Sequence, residues 1–131
     1  MTDLVCVVTG TNTYQFLRLS TDLTSFEVHH TQLRPPREDI STDYTCHVWT
    51  KDSMQLVVCT ANGDVMLVNH SGEFLLYLPQ SPEGNQIDCI FASSHGFMIG
   101  GENGHIWTFA SQDDEHIPYV LSQTQPLIRS E

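Results

Sequence analysis

The chain has 131 residues, enough for one ordinary domain. It carries 5 Lys and Arg against 16 Asp and Glu, a formal net charge of −11. That balance argues against a nucleic-acid or anionic-membrane partner, because both need basic patches, and no apolar run approaches the roughly 20 residues of a spanning helix.

The N-terminus, Met1-Thr2-Asp3, has no basic segment before its apolar stretch, so no secretory signal is read and an intracellular location is expected. Residues 4–9 form a β-branched run, Gly10-Thr11-Asn12-Thr13 a turn, Tyr14–Leu19 a second strand and Thr24–His29 a third. His29-His30 reads as a strand end on a solvated edge, with a metal or pH role as the alternative. Arg34-Pro35-Pro36-Arg37-Glu38-Asp39 cannot join a central sheet ladder. It is expected to connect two units, with a proline-type docking peptide as the alternative.

A second unit follows, with strands Tyr44–Trp49, Gln55–Thr60, Val65–Asn69 and Glu73–Leu78. Pro79–Asn85 is a loop that Ser81-Pro82 is read as shaping, with phosphorylation as the alternative. A third unit has strands Ile87–Ala92, Phe97–Gly101, His105–Ala110 and Ile117–Leu121, with Pro118 at a start or edge. Residues 124–131 are read as the start of a further strand.

The later units echo each other. Leu56–Asn69 aligns without a gap on Phe97–Ala110 at a spacing of 41, and Asn62-Gly63 falls on Asn103-Gly104. Asn-Gly between β-rich runs is the strongest short-range hairpin signal, and both turn residues are expected at positive φ, which these two tolerate best. Upstream, His47–Thr50 aligns on Cys89–Ala92 at 42, with a one-residue difference in the intervening turn. A four-stranded unit of about 40–45 residues is the period of a β-propeller blade of the WD type. Such a blade is stable only when stacked on neighbours. The fold expected is all-β: an incomplete WD-type propeller of about three four-stranded antiparallel blades. Residues 1–31 would be a partial blade lacking its first strand, 43–78 a complete blade and 86–123 a third. Since propellers close with about 4–8 blades, the 131 residues are expected to be a piece of a longer chain.

Candidate chemistry is sparse. Cys6, Cys46, Cys59 and Cys89 contain no Cys-x-x-Cys and lie in apolar runs, so all four are expected as reduced core residues. Cys46 and His47 are strand neighbours and point to opposite faces, and the spacing to Cys59 and His70 does not suit zinc. Gly100-Gly101-Glu102-Asn103-Gly104 lacks the Lys-Ser/Thr of a phosphate loop. Asn69-His70-Ser71 fits a glycosylation pattern, idle without a secretory signal. Asp113-Asp114-Glu115 is read as a solvated loop, and Trp49 and Trp107 as core residues or, alternatively, the lining of a peptide groove. No catalytic, cofactor-binding or metal residue is assigned, and an enzyme is not expected.

Val5–Gly10 with Phe16–Leu19, then Tyr44–Trp49, then Leu56–Val68, and later Gly96-Phe97 with Gly104–Phe109 resemble a segment of the large WD-repeat cilia- and flagella-associated proteins. Cys59 departs from that family's Val-Gly-Thr. The resemblance covers residues 4–110 and implies an axonemal scaffold that supports assembly or regulation of inner dynein arms. Its partners would be dynein-associated or doublet-microtubule proteins, met through loops 31–43, 79–86 and 111–116. A WD-type adaptor in trafficking or ubiquitin-ligase substrate recruitment shares the fold and is the alternative. A small hydrolase would instead need a buried polar cluster in a cleft.

Overall fold

In the computed structural model, residues 4–20, 22, 24–33, 41–51, 55–79, 84–101, 104–114 and 116–126 are described. The Arg34–Asp39 and Ser81-Pro82 expectations, and residues 127–131, lie outside them. The described residues hold eleven strands and no helix, so none is long and apolar enough to cross a membrane.

The strands form three antiparallel meanders. The first sheet is β1 (Val5–Gly10), β2 (Thr13–Leu19) and β3 (Phe26–His30). The second is β4 (Tyr44–Trp49), β5 (Leu56–Thr60), β6 (Val65–Val68) and β7 (Phe74–Tyr77). The third is β8 (Ile87–Ser93), β9 (Gly96–Gly101), β10 (His105–Ser111) and β11 (Tyr119–Pro126). Residues 124–126, expected to open a further strand, continue β11 and pair with β10 as far as His105 opposite Pro126.

The hairpin turns differ in detail from the expectation. Gly63 takes φ +87 and Gly104 +66, but Asn62 does not take positive φ. The link from Thr60 to Asp64 is a three-residue loop, in which the Gly63 N–H donates to the Thr60 carbonyl at 3.2 Å and the Thr60 N–H to the Asp64 carbonyl at 3.1 Å. This is the hairpin in which a simple turn is followed by one left-handed residue, so only the glycine is conformationally demanding. In the first sheet the link is shorter: Gly10 pairs with Thr13, and Asn12, φ 52, is the left-handed residue of a two-residue loop.

The repeat extends to irregularities that no residue pattern announces. Tyr44 pairs with Thr60 and Cys46 with Cys59, leaving Thr45 as the extra residue of a bulge. Ile87 pairs with Gly101 and Cys89 with Gly100, leaving Asp88 extra in the same way. A second bulge lies between Leu67 and Val68, opposite Leu76 and Phe74, and again between Thr108 and Phe109, opposite Gln123 and Leu121. It recurs between Phe16 and Leu17, opposite His30 and Val28. By this register β1-β2-β3 correspond to β5-β6-β7, and the described part of the first sheet has no counterpart of β4 and β8.

The register also corrects the upstream alignment. Trp49 pairs with Leu56, and Ala92 with Phe97. Cys46 is therefore equivalent to Cys89 and Trp49 to Ala92, at a spacing of 43 rather than 42. The turn before β9 is two residues shorter than that before β5, not one, because Ser93 already pairs with Gly96.

Sheet packing follows from side-chain alternation. Leu56, Val58, Met66 and Val68 share a core with Tyr14 and Phe16 of β2, Leu33 and Tyr44, flanked by Val5, Val7, Trp49, Phe74 and Tyr77. The alternate residues Val57, Cys59, Val65 and Leu67 share a second core with Ile87, Phe97, Ile99, Phe109 and Tyr119. The second sheet is thus covered on both sides. Every residue of β5 and β6 is buried, which is why these strands read as continuous apolar runs. Each fully buried Val, Leu or Met among them contributes about 1.5–3 kcal/mol of transfer free energy.

The two outer faces are uncovered. On the first sheet Leu4, Cys6, Val8, Phe26 and Val28 are exposed. On the third, Phe91 is 60% exposed and Cys89 is exposed beside half-buried Met98 and Ile106. This corrects the expectation that all four cysteines are core residues. Cys59 is fully buried and Cys46 half-buried, but Cys6 and Cys89 occupy the end faces of the stack, where no described sheet lies over them.

Candidate functional site

The seam between the first two sheets is lined by two open clefts. His29 and His30 close β3, and the chain turns through Thr31 and Gln32 before Leu33 drops into the core. Thr31 and Gln32 lie between two open clefts. One, about 430 Å³, is completed by His29, His30, Gly72, Glu73 and Phe74. The other, about 270 Å³, is completed by Asn12, Tyr14, Leu33, Thr42 and Tyr44.

Each wall has a local cause. Asn69 Oδ1 accepts the N–H groups of Ser71 at 2.9 Å and Glu73 at 3.0 Å, folding residues 69–73 into a tight turn. Gly72 takes φ +89 at its apex. The buried Tyr14 hydroxyl donates to the Gly72 carbonyl at 2.9 Å, tying that turn to β2. The Phe16 ring meets His30 edge-on at 6.1 Å and Trp49 at 6.3 Å. Arg18 donates to the His70 carbonyl at 3.1 Å. Burial, with Tyr44 beside it, pushes the Tyr14 hydroxyl's pKa up, so it serves as a neutral donor.

The seam presents aromatic edges, amide and hydroxyl groups, and two histidines at the rim. His29 is exposed and lies 4.0 Å from Glu27. Cys46 and His47 do point apart. Cys46 joins the core with the third sheet, whereas His47 Nδ1 lies 2.9 Å from Thr9 Oγ1 of the first. Burial lowers the His47 pKa and keeps the ring neutral. Among the described residues no group of three or more His, Cys, Asp or Glu is placed to hold a metal ion.

Of the loops expected to meet partners, the described parts of 31–43 border both clefts. In loop 111–116, Ser111 ends β10, and beyond it Gln112 donates from Nε2 to the Ile117 carbonyl at 2.5 Å. Loop 79–86 is described at residues 79 and 84–86, where the Gly84 N–H donates to the Asn62 carbonyl at 2.8 Å. Trp49 and Trp107, expected as core residues, are half-buried and pack against the edges of the two cores. The role of Gly72 was not legible: its signal, Asn69 three residues before a glycine, marks a turn but not the sheet it packs on.

No protein-family model and no curated protein matches the chain.

Proposed function

We propose that the chain is a run of three consecutive blades of a WD-type β-propeller and acts as a non-enzymatic scaffold. The observation that carries this reading is the head-to-tail use of the sheets. Each sheet lays the same side of its repeat on the opposite side of the next, with bulges in equivalent places. The first and third sheets present the two complementary apolar sides uncovered. A further blade of the same kind fits each end, as in a ring of stacked sheets. The ciliary setting rests on the sequence resemblance: the scaffold supports assembly or regulation of inner dynein arms on doublet microtubules, with the seam at Thr31 and Gln32 as its contact surface.

The test is fractionation of motile cilia with an antibody to this chain. Retention in the detergent-extracted axoneme, and co-release with inner-arm components at high salt, is the expected result. Release into the soluble detergent fraction refutes the axonemal assignment and favours an adaptor elsewhere in the cell. For the propeller itself, Phe91→Asp and Val28→Asp are made in the protein purified from cells. If these faces are covered by further blades, each substitution should cost several kcal/mol, as for a buried unpaired charge. A cost within about 0.5 kcal/mol, the range of ordinary surface positions, refutes coverage.

A further inference from the structure

Cys46 and Cys59 stand directly opposite each other on β4 and β5. Directly opposed residues in an antiparallel pair have Cα atoms about 4.5–5.5 Å apart, inside the window of about 4.4–6.8 Å that a disulfide spans. Both side chains face the third sheet and join the same core. Both thiols are free. The equivalent pair in the third sheet shows how close the register brings the groups: a Cβ built at Gly100 would lie 3.0 Å from Cys89 Sγ. The preceding bulge residue adds polar support, with Thr45 Oγ1 3.8 Å from Cys46 Sγ and 3.5 Å from the Cys59 carbonyl oxygen.

We propose that Cys46 and Cys59 are an oxidation site, a cross-strand thiol pair that a peroxide closes to an intrachain disulfide. The two members are unequal. The Cys59 S–H donates to the Cys46 sulfur, which lowers the Cys46 pKa and raises that of fully buried Cys59. Half-buried Cys46 is therefore the attacking thiolate. It takes one oxygen of hydrogen peroxide as the O–O bond breaks, giving a sulfenic acid and hydroxide. The Cys59 sulfur then displaces the sulfenic oxygen, forming the S–S bond; the Cys59 proton and the thiol proton shed earlier leave with the two oxygens as two waters. Two thiols are oxidised and one peroxide is reduced. The product would tie β4, which runs beside β8, covalently to β5.

The other two cysteines are internal controls. Cys6 faces Leu17 and Cys89 faces Gly100. Neither has an opposed thiol, and both are exposed.

The experiment treats the reduced 131-residue chain with one equivalent of hydrogen peroxide, unfolds it, alkylates remaining thiols and maps the peptides by mass spectrometry. The expected product is two hydrogens lighter, with Cys6 and Cys89 alkylated and a Cys46–Cys59 linked peptide released by reductant. Cys46→Ala should abolish that mass change. The linked peptide in the unmodified sequence decides the matter even where a variant folds poorly. Recovery of Cys46 and Cys59 as alkylated thiols while Cys6 or Cys89 has oxidised overturns the proposal. So does a linkage of any other pair.

Discussion

Gly72→Ala separates two costs that glycine avoids in the seam. The first is conformational. Gly72 sits at φ +89, and an L-side chain in the left-handed region costs about 1–2 kcal/mol. The second is steric and lies between sheets. A Cβ at this position would be 2.6 Å from Phe16 Cγ and 2.8 Å from His30 Cδ2, inside the approach that real Cβ atoms show. Forcing extra volume into such a place costs about 1–3 kcal/mol, so Gly72→Ala should destabilise by about 2–5 kcal/mol. Gly104→Ala supplies the comparison: φ is +66, but nothing lies within 4 Å of the added carbon. Its cost should be the conformational part alone, about 1–2 kcal/mol. Urea unfolding followed by fluorescence of Trp49 and Trp107 measures both. In a Phe16→Leu background the steric part should shrink, so the two glycine substitutions converge. Equal costs in the unaltered background, or no convergence in Phe16→Leu, would refute the packing of this turn on the first sheet.

Three further outcomes are expected. Phe97 is fully buried, stacked on Phe109 at 5.0 Å and edge-on to Tyr119 at 5.3 Å, so Phe97→Ala should cost about 3–5 kcal/mol in chemical denaturation. Buried Thr60 donates to Asp64 Oδ2 at 2.8 Å and accepts the Asp64 N–H at 3.0 Å, so Thr60→Val should cost about 2–4 kcal/mol while Thr60→Ser retains most of the stability. On acidification, the unfolded chain takes a proton at His47 near the ordinary imidazole value, before the folded chain does. Stability should therefore fall as pH drops from about 7 through 6.5, and a thermal-melt series should show less of that loss in His47→Gln. Asp22, held at about 2 by hydrogen bonds from Ser20 and Thr24, adds a separate loss as pH falls from about 4 toward 2.

Strand positions were legible because two signals coincide. Asn-Gly pairs mark the hairpins, and apolar runs of strand length flank them. Their spacing recovered β4 to β10 to within a residue or two of the observed bounds. Exposure was not legible in the same way. Cys6 and Cys59 sit in similar runs, Val5-Cys6-Val7-Val8 and Val57-Val58-Cys59, yet one is exposed and the other fully buried. Local pattern tells which residues share a face of a strand; it does not tell whether another sheet lies over that face. The bulges at Thr45 and Asp88 escaped for a related reason. A bulge is a mismatch between two strands, and neither strand's sequence records the other's register.

That distinction bears on what the repeat can do. The covered faces are alike in chemistry to the uncovered ones: Val7 and Val8 are consecutive, one packed against the second sheet and the other exposed. Had the end faces been built for solvent, strict apolar–polar alternation would be expected on β1, as on a one-sided sheet. Instead Leu4, Cys6 and Val8 alternate with Val5 and Val7, so both sides of the strand are apolar. Strand β1 therefore carries the composition of an interior strand, as β5 and β6 do, and that composition is the physical ground for the neighbour proposed on its outer face.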